Sequence, residues 1–222
     1  MKRRGFIKLC STAAVTAALS PSMLGTALAA EPVLYKRAKL MDRAGKPIKA
    51  SQLAVGEEYV FHYPYNSTPV LLLRLDKPAN GGVGRDGGLV AFCAVCTHQM
   101  QYPRKGDANL FNYYHTEKSS AAERSGVIVC CAHNSVFDPA QGAKVLGGQA
   151  THPLTAIALE YDAATDEVYA VGTRGQEIYE DFFKAYKQVL NEDYGRGQYK
   201  TLIEGQAPVS LLKEFVSMQV RC

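Results

Sequence analysis

Cys96-Thr97-His98 and, further along, Cys130-Cys131-Ala132-His133 decide how this chain is read. C-x-H followed by C-x-x-H supplies two thiols and two imidazoles, carried on two separate segments. Thiolate sulfur and imidazole nitrogen are the donors used by zinc and by mixed-ligand iron–sulfur clusters. Each cluster of ligands follows an apolar run, Leu89–Val95 before the first and Gly126–Val129 before the second. Both are therefore expected on loops at one end of a sheet, with a rigid scaffold beneath them.

The surrounding pattern is one of short strands and turns. Tyr59–Tyr63 and Pro69–Leu75 read as a hairpin around Asn66-Ser67-Thr68, and further apolar runs cover Ala156–Tyr161 and Glu167–Val171. Repeated short β-rich runs punctuated by Gly and Asp predict an all-β, antiparallel sandwich or barrel. Asn80–Gly88 is a turn-rich connector, and its glycines do not form a G-x-G-x-x-G fingerprint. Beyond residue 175 the pattern changes. Ile178, Phe182, Tyr186, Val189 and Leu190 fall at helical spacing over Glu177–Leu190, and a second helix is expected from Pro208 through Val216. The expected organisation is a leader over 1–29, a β domain over 30–175 and a short helical C-terminal extension over 176–222.

The leader is read from its order of parts. Lys2-Arg3-Arg4-Gly5-Phe6 precedes a small-residue, mildly apolar stretch that ends Ala27-Leu28-Ala29-Ala30. A basic start, an apolar middle and an A-x-A-like end describe an export signal, and the paired arginines fit the twin-arginine kind. Export to the periplasm is the expectation; a membrane anchor requires that the segment be retained. The leader also holds four of the 25 basic residues, which leaves 21 against 21 acidic ones. A neutral mature chain argues against nucleic acid as a partner. Of the six cysteines, Cys10 lies in the leader, and Cys96 and Cys130 belong to the ligand pattern. Cys93, Cys131 and Cys222 remain, an odd number in an oxidising compartment.

Two metal chemistries fit the donors. In a 2Fe-2S cluster, two neutral imidazoles in place of two thiolates remove negative charge and raise the reduction potential. The imidazoles can also titrate, so an electron can be coupled to a proton. Cys93-x-x-Cys96 with Cys130-x-x-His133 satisfies a structural zinc site instead.

The residues around the ligands resemble the Rieske family, most of all the small subunit of arsenite oxidase. The resemblance runs from about Val55 to Gly172. It includes Tyr63-Pro64-Tyr65, Gly81–Gly87, Val90-Ala91-Phe92, Ser135-Val136-Phe137-Asp138, Gly147–Thr151 and Pro153-Leu154. It implies that Cys96 and Cys130 bind one iron, and that His98 and His133 bind the other, solvent-facing iron. It gives Ser135 the role of a hydroxyl donor toward the cluster. Phe137 stands where high-potential members have a tyrosine, which implies a lower potential here. The disulfide that often joins the two ligand loops falls on Gln101 and Ala132, so it is absent. A Cys93–Cys131 bond is one substitute; the alternative is that Cys93 is a small buried strand residue and Cys131 a free thiol, with Cys222 either free or cross-linked.

The resemblance implies a Rieske-type redox subunit of a periplasmic oxidoreductase. Its expected partners are a large subunit, plausibly a molybdopterin enzyme, and a cytochrome or copper carrier. Other readings are the Rieske subunit of a quinol-oxidising cytochrome bc complex, a free-standing carrier, and a zinc-held binding module. An oxygenase component is disfavoured, because no second catalytic domain is evident. His62, His115 and His152 read as ordinary strand or loop residues. The long stretch 99–129 is expected either to shape partner docking or to cover a sheet edge with its aromatics.

Overall fold

The computed structural model describes residues 31–222; the expected export signal lies outside the described residues. β1 (Val33–Met41), β2 (Glu58–His62), β3 (Pro69–Arg74) and β4 (Leu89–Cys93) come first. β5 (Ala108–Asn109), β6 (Phe111–Tyr114), β7 (Val127–Cys130), β8 (Ser135–Asp138) and β9 (Lys144–Gly147) follow, then β10 (Ala156–Asp162) and β11 (Glu167–Arg174). The chain ends with α1 (Tyr179–Ala185), α2 (Lys187–Tyr194), β12 (Gly205–Pro208), β13 (Ser210–Leu211), α3 (Leu212–Phe215) and β14 (Met218–Gln219). Among the described residues no helix is long and apolar enough to cross a membrane.

One sheet has the order β12-β1-β11-β10-β4-β3-β2-β13, and its two edges are halves of a single segment. Residues 205–208 pair in parallel with Ala38–Met41 of β1, while Ser210 and Leu211 pair antiparallel with Val60 and Tyr59 of β2. Between them Val209 donates its N–H to the Met41 carbonyl. The segment is the stave that closes the sheet into a barrel, and closure removes both open edges.

This corrects the helix expected from Pro208 through Val216, of which only Leu212–Phe215 is helical. Upstream a period of two prevails: Ala207 and Val209 fill the barrel interior, while Gln206 and Pro208 face solvent. The expected Glu177–Leu190 helix is also divided. Tyr186 is the junction of α1 and α2, at φ −108° and ψ 15°.

The second sheet, β6-β7-β8-β9, is inserted between β4 and β10 and sits on the outside of the barrel. Alternation along β3 explains how. Val70 and Leu72 point into the barrel, whereas Leu71 and Leu73 pack outward with Phe111, Ile128 and Phe137 of the inserted sheet. Both faces of β3 and β4 are buried, which is why they read as unbroken apolar runs. The stretch 99–129 thus supplies a strand, β6, whose four residues are all buried. It forms part of the core, which neither expectation for this stretch anticipated.

A third core joins α1 and α2 to the first ligand loop, with Phe182, Phe183 and Leu190 against Val95 and Tyr102. The Tyr102 ring lies 4.9 Å from both Phe182 and Tyr186, nearly edge-on to each. Phe182→Ala removes the centre of this support, and Phe182 is fully buried. Denaturant unfolding is expected to show a loss of about 3–5 kcal/mol.

Candidate metal centre

The second ligand segment is a tight hairpin. Cys130 and Ser135 are the last register pair of β7 and β8, leaving residues 131–134 as the turn. Asn134 takes a left-handed conformation (φ 56°), which its short amide side chain tolerates. The Cys131 N–H donates to the Leu110 carbonyl at 2.7 Å. Gly148 (φ 80°) lies directly against the Asn134 carbonyl and Ser135 Cα, where a Cβ would overlap both.

The first ligand loop is closed on itself. Cys96 N–H donates to the Gln101 carbonyl and Met100 N–H to the Cys96 carbonyl, both at 2.9 Å. The Thr97 hydroxyl donates to the His152 carbonyl at 2.8 Å, tying this loop to the segment after β9. Three segments therefore meet at the site, and His152 contributes through its backbone.

The four expected ligands come together as two pairs. Cys96 and Cys130 are 2% and 1% exposed, in the core shared by barrel and inserted sheet. His98 is half-buried and His133 exposed; their rings lie 4.8 Å apart at 89°. The thiol side faces protein and the imidazole side faces outward.

The two thiols are pushed in opposite directions. Cys96 is held below the ordinary thiol range by a hydrogen bond with Cys130; burial opposes this, while amides of His98 and Gln99 and the Ser135 hydroxyl assist. Cys130 is held up by that same hydrogen bond, then by burial and the neighbouring negative charge. Metal binding must therefore displace the remaining proton. Ser135 is fully buried and accepts the Ala150 N–H at 3.1 Å, which leaves its own proton free to donate. Phe137 is also fully buried, with a hydrocarbon edge where a tyrosine carries a hydroxyl.

The zinc set does not assemble. Cys93 lies in the core behind the first ligand loop, against Tyr179, and burial pushes its thiol up to about 12. Among the described residues no three His, Cys, Asp or Glu side chains converge on a single-ion site. Two donors from each of two types, side by side, suit a two-iron cluster instead. One buried atom makes the same point: His98 Nδ1 has no hydrogen-bond partner. A buried imidazole nitrogen without a partner is costly unless it binds a metal.

Both expectations for Cys131 are overturned, while Cys93 is the small buried strand residue of the second. Cys131 is bonded to Cys222, and Cys93 is free and buried. Chain path decides this, since Cys93 and Cys131 belong to different cores. His62 and His115 lie away from the site, His62 beside Tyr194 and Phe215 and His115 against Gly56.

Comparison with known proteins follows the same line. No protein-family model matches the chain. The iodate reductase subunit IdrB of Denitromonas iodatirespirans is 36% identical over 175 residues, covering 79% of this chain and 82% of that one. This chain belongs to the IdrB family of iodate reductase subunits. The IdrB of Pseudomonas sp. (strain SCT) is 34% identical over 125 residues, 56% of this chain and 57% of its own length. The soluble domain of Rieske protein II (soxF) from Sulfolobus acidocaldarius aligns at 24% identity and a TM-score of 0.46. That alignment covers 63% of this chain and 78% of the other. The mostly-β fold and the two ligand loops side by side agree with the Rieske resemblance, and the donor set of two thiols and two imidazoles suits a 2Fe-2S cluster.

Sequence reasoning missed the supports. Gly148, the Thr97–His152 link and the aromatic backing of Tyr102 are tertiary contacts. Only the Gly147-Gly148 pair and the helical spacing of Phe182 and Tyr186 hinted at them. Gly148→Ala is expected to displace the second ligand hairpin and to cost more than about 2 kcal/mol in denaturant unfolding. Substitution of Gly106, where a Cβ meets nothing, serves as the comparison.

Proposed function

We propose that Cys96 and Cys130 hold one iron of the cluster and His98 and His133 the other, and that the chain is the one-electron relay of a periplasmic oxyanion-reducing complex. The observation that carries this is the pairing itself: two thiols buried in one core, and two imidazoles in ring contact at the outer end of the same loops. When bound, the cluster accepts and releases single electrons. The chain does the rest. It keeps water from the thiol side and offers the imidazole side to a partner. The Ser135 hydroxyl, buried with its proton free, would donate to the cluster and stabilise the negative charge gained on reduction.

The relatives' name supplies the wider setting. A subunit of an iodate reductase implies a larger oxidoreductase partner, here taken to be a molybdopterin subunit, to which this chain passes electrons from a cytochrome or copper carrier. The substrate is then iodate or a similar oxyanion, bound by the partner. Export by the twin-arginine route rests on Arg3-Arg4 and the segment after them, and the Cys131–Cys222 bond supports an oxidising compartment.

Native purification tests the assembly. A co-migrating large molybdopterin subunit supports it, whereas isolation alone points to a free-standing carrier. Metal analysis tests the ligands: equal iron and acid-labile sulfide are expected, and zinc without sulfide would falsify the assignment.

Two substitutions test the tuning in opposite directions. Ser135→Ala removes a donor that stabilises the reduced state, so the midpoint potential should fall by on the order of 50–100 mV. Phe137→Tyr restores a donor and should raise it; an unchanged or lower value in voltammetry sinks the placement of Phe137 beside the cluster.

A further inference from the structure

The two parts of the chain that extend the Rieske pattern, the 99–129 stretch and the C-terminus, are bound to each other. Met218 and Gln219 pair in parallel with Ala108 and Asn109. Val220 N–H then donates to the Asn109 carbonyl at 2.8 Å, and the fully buried Asn112 donates its side-chain amide to the Val220 carbonyl at 2.7 Å. The Ser119 hydroxyl donates to the Cys222 carbonyl at 2.8 Å, and Cys222 N–H donates to the Tyr114 hydroxyl at 2.5 Å. The final residue is thus held from several sides before its sulfur is considered.

The strap is also tied to the barrel. Glu58, on β2 and only 5% exposed, accepts from Gln219 at 2.7 Å and from Arg221 at 3.2 Å, and takes the Tyr113 N–H as well. From this anchor the strap runs to Cys222, and Cys222 is bonded to Cys131. Cys131 is the neighbour of Cys130 in the hairpin that carries Cys130 and His133. One continuous path therefore joins the barrel wall to the second ligand loop.

We propose that Cys222 is a positioning residue of the metal centre. The C-terminal strap, locked by its bond to Cys131, holds the second ligand loop from outside the inserted sheet. It takes the place of a direct bond between the two ligand loops, whose expected positions are Gln101 and Ala132. The loop's shape then depends on Cys222, and opening the bond loosens the grip on the cluster while the barrel stays closed. This inference rests on the assignment of Cys130 and His133 as ligands.

The test uses the full chain with its cluster. In Cys222→Ser, iron should be lost to a chelator at least about tenfold faster than in the parent. The EPR lineshape and midpoint potential of the remaining cluster should shift, while far-UV circular dichroism stays as in the parent. A Ser119→Ala variant, which loses one strap hydrogen bond and keeps the disulfide, should remain close to the parent. Unchanged iron loss, lineshape and potential in Cys222→Ser overturn the inference, as does peptide mass mapping that finds Cys131 and Cys222 unlinked. Should Cys222→Ser fail to fold, the same readouts apply to the parent after phosphine reduction, alkylation of the two thiols and reoxidation of the cluster. A parent that binds no iron and sulfide refutes the ligand assignment itself, a different outcome from a parent whose intact cluster ignores the strap.

Discussion

Strands β3 and β4 turn no face to water, and the rest of the molecule is arranged around that constraint. One set of alternating side chains, Val70 and Leu72 with Leu89 and Ala91, fills the barrel; the other, Leu71 and Leu73 with Val90 and Phe92, needs a second cover. Fully burying each such side chain is worth about 1.5–3 kcal/mol, so an uncovered outer face is a large loss. The inserted sheet supplies the cover. Because Cys96 and Cys130 are members of that outer core, covering β3 and β4 also brings the two thiols together away from solvent. The apolar cover and the candidate thiol ligands lie along one interface.

That origin explains the asymmetry of the centre. The thiols sit where two layers meet, and their negative charge is met by amides of the loops that carry them and by Ser135. The imidazoles sit at the outer end of both loops, where His133 reaches solvent. Gly148, the Thr97–His152 hydrogen bond and the aromatic rings behind Tyr102 hold this end from three directions. A site of this kind needs rigid loops, since small displacements change the hydrogen bonds that tune it.

Much of this was legible in the sequence, and the exceptions have physical causes. The hairpin of β2 and β3, the runs that became β4, β7, β10 and β11, and the ligand spacing are local signals that packing reinforces. Residues 208–211 of the stave fall within the expected helix because Leu211, Leu212, Phe215 and Val216 satisfy a helical period, while the alternation before them spans few residues and includes Pro208. Burial of Ala207 and Val209 in the barrel decided the matter. The partner of Cys131 was not readable, because it depends on where a chain end arrives after crossing the whole fold. The family pattern pointed readily to the candidate ligands, since a compact cofactor fixes their spacing, but it was silent on residues that lie outside it.

Barrel closure by residues 205–211 also orders events during synthesis. β1 and β2 leave the ribosome long before the segment that joins them. Until then the nascent chain carries two unpaired strand edges and an uncovered interior, the features that invite wrong partners. Pairings of such long sequence separation are slow to form. Emergence of residues 205–211 is therefore a structural checkpoint for this protein: a chain that stops short of them is left visibly unfinished to whatever surveys it.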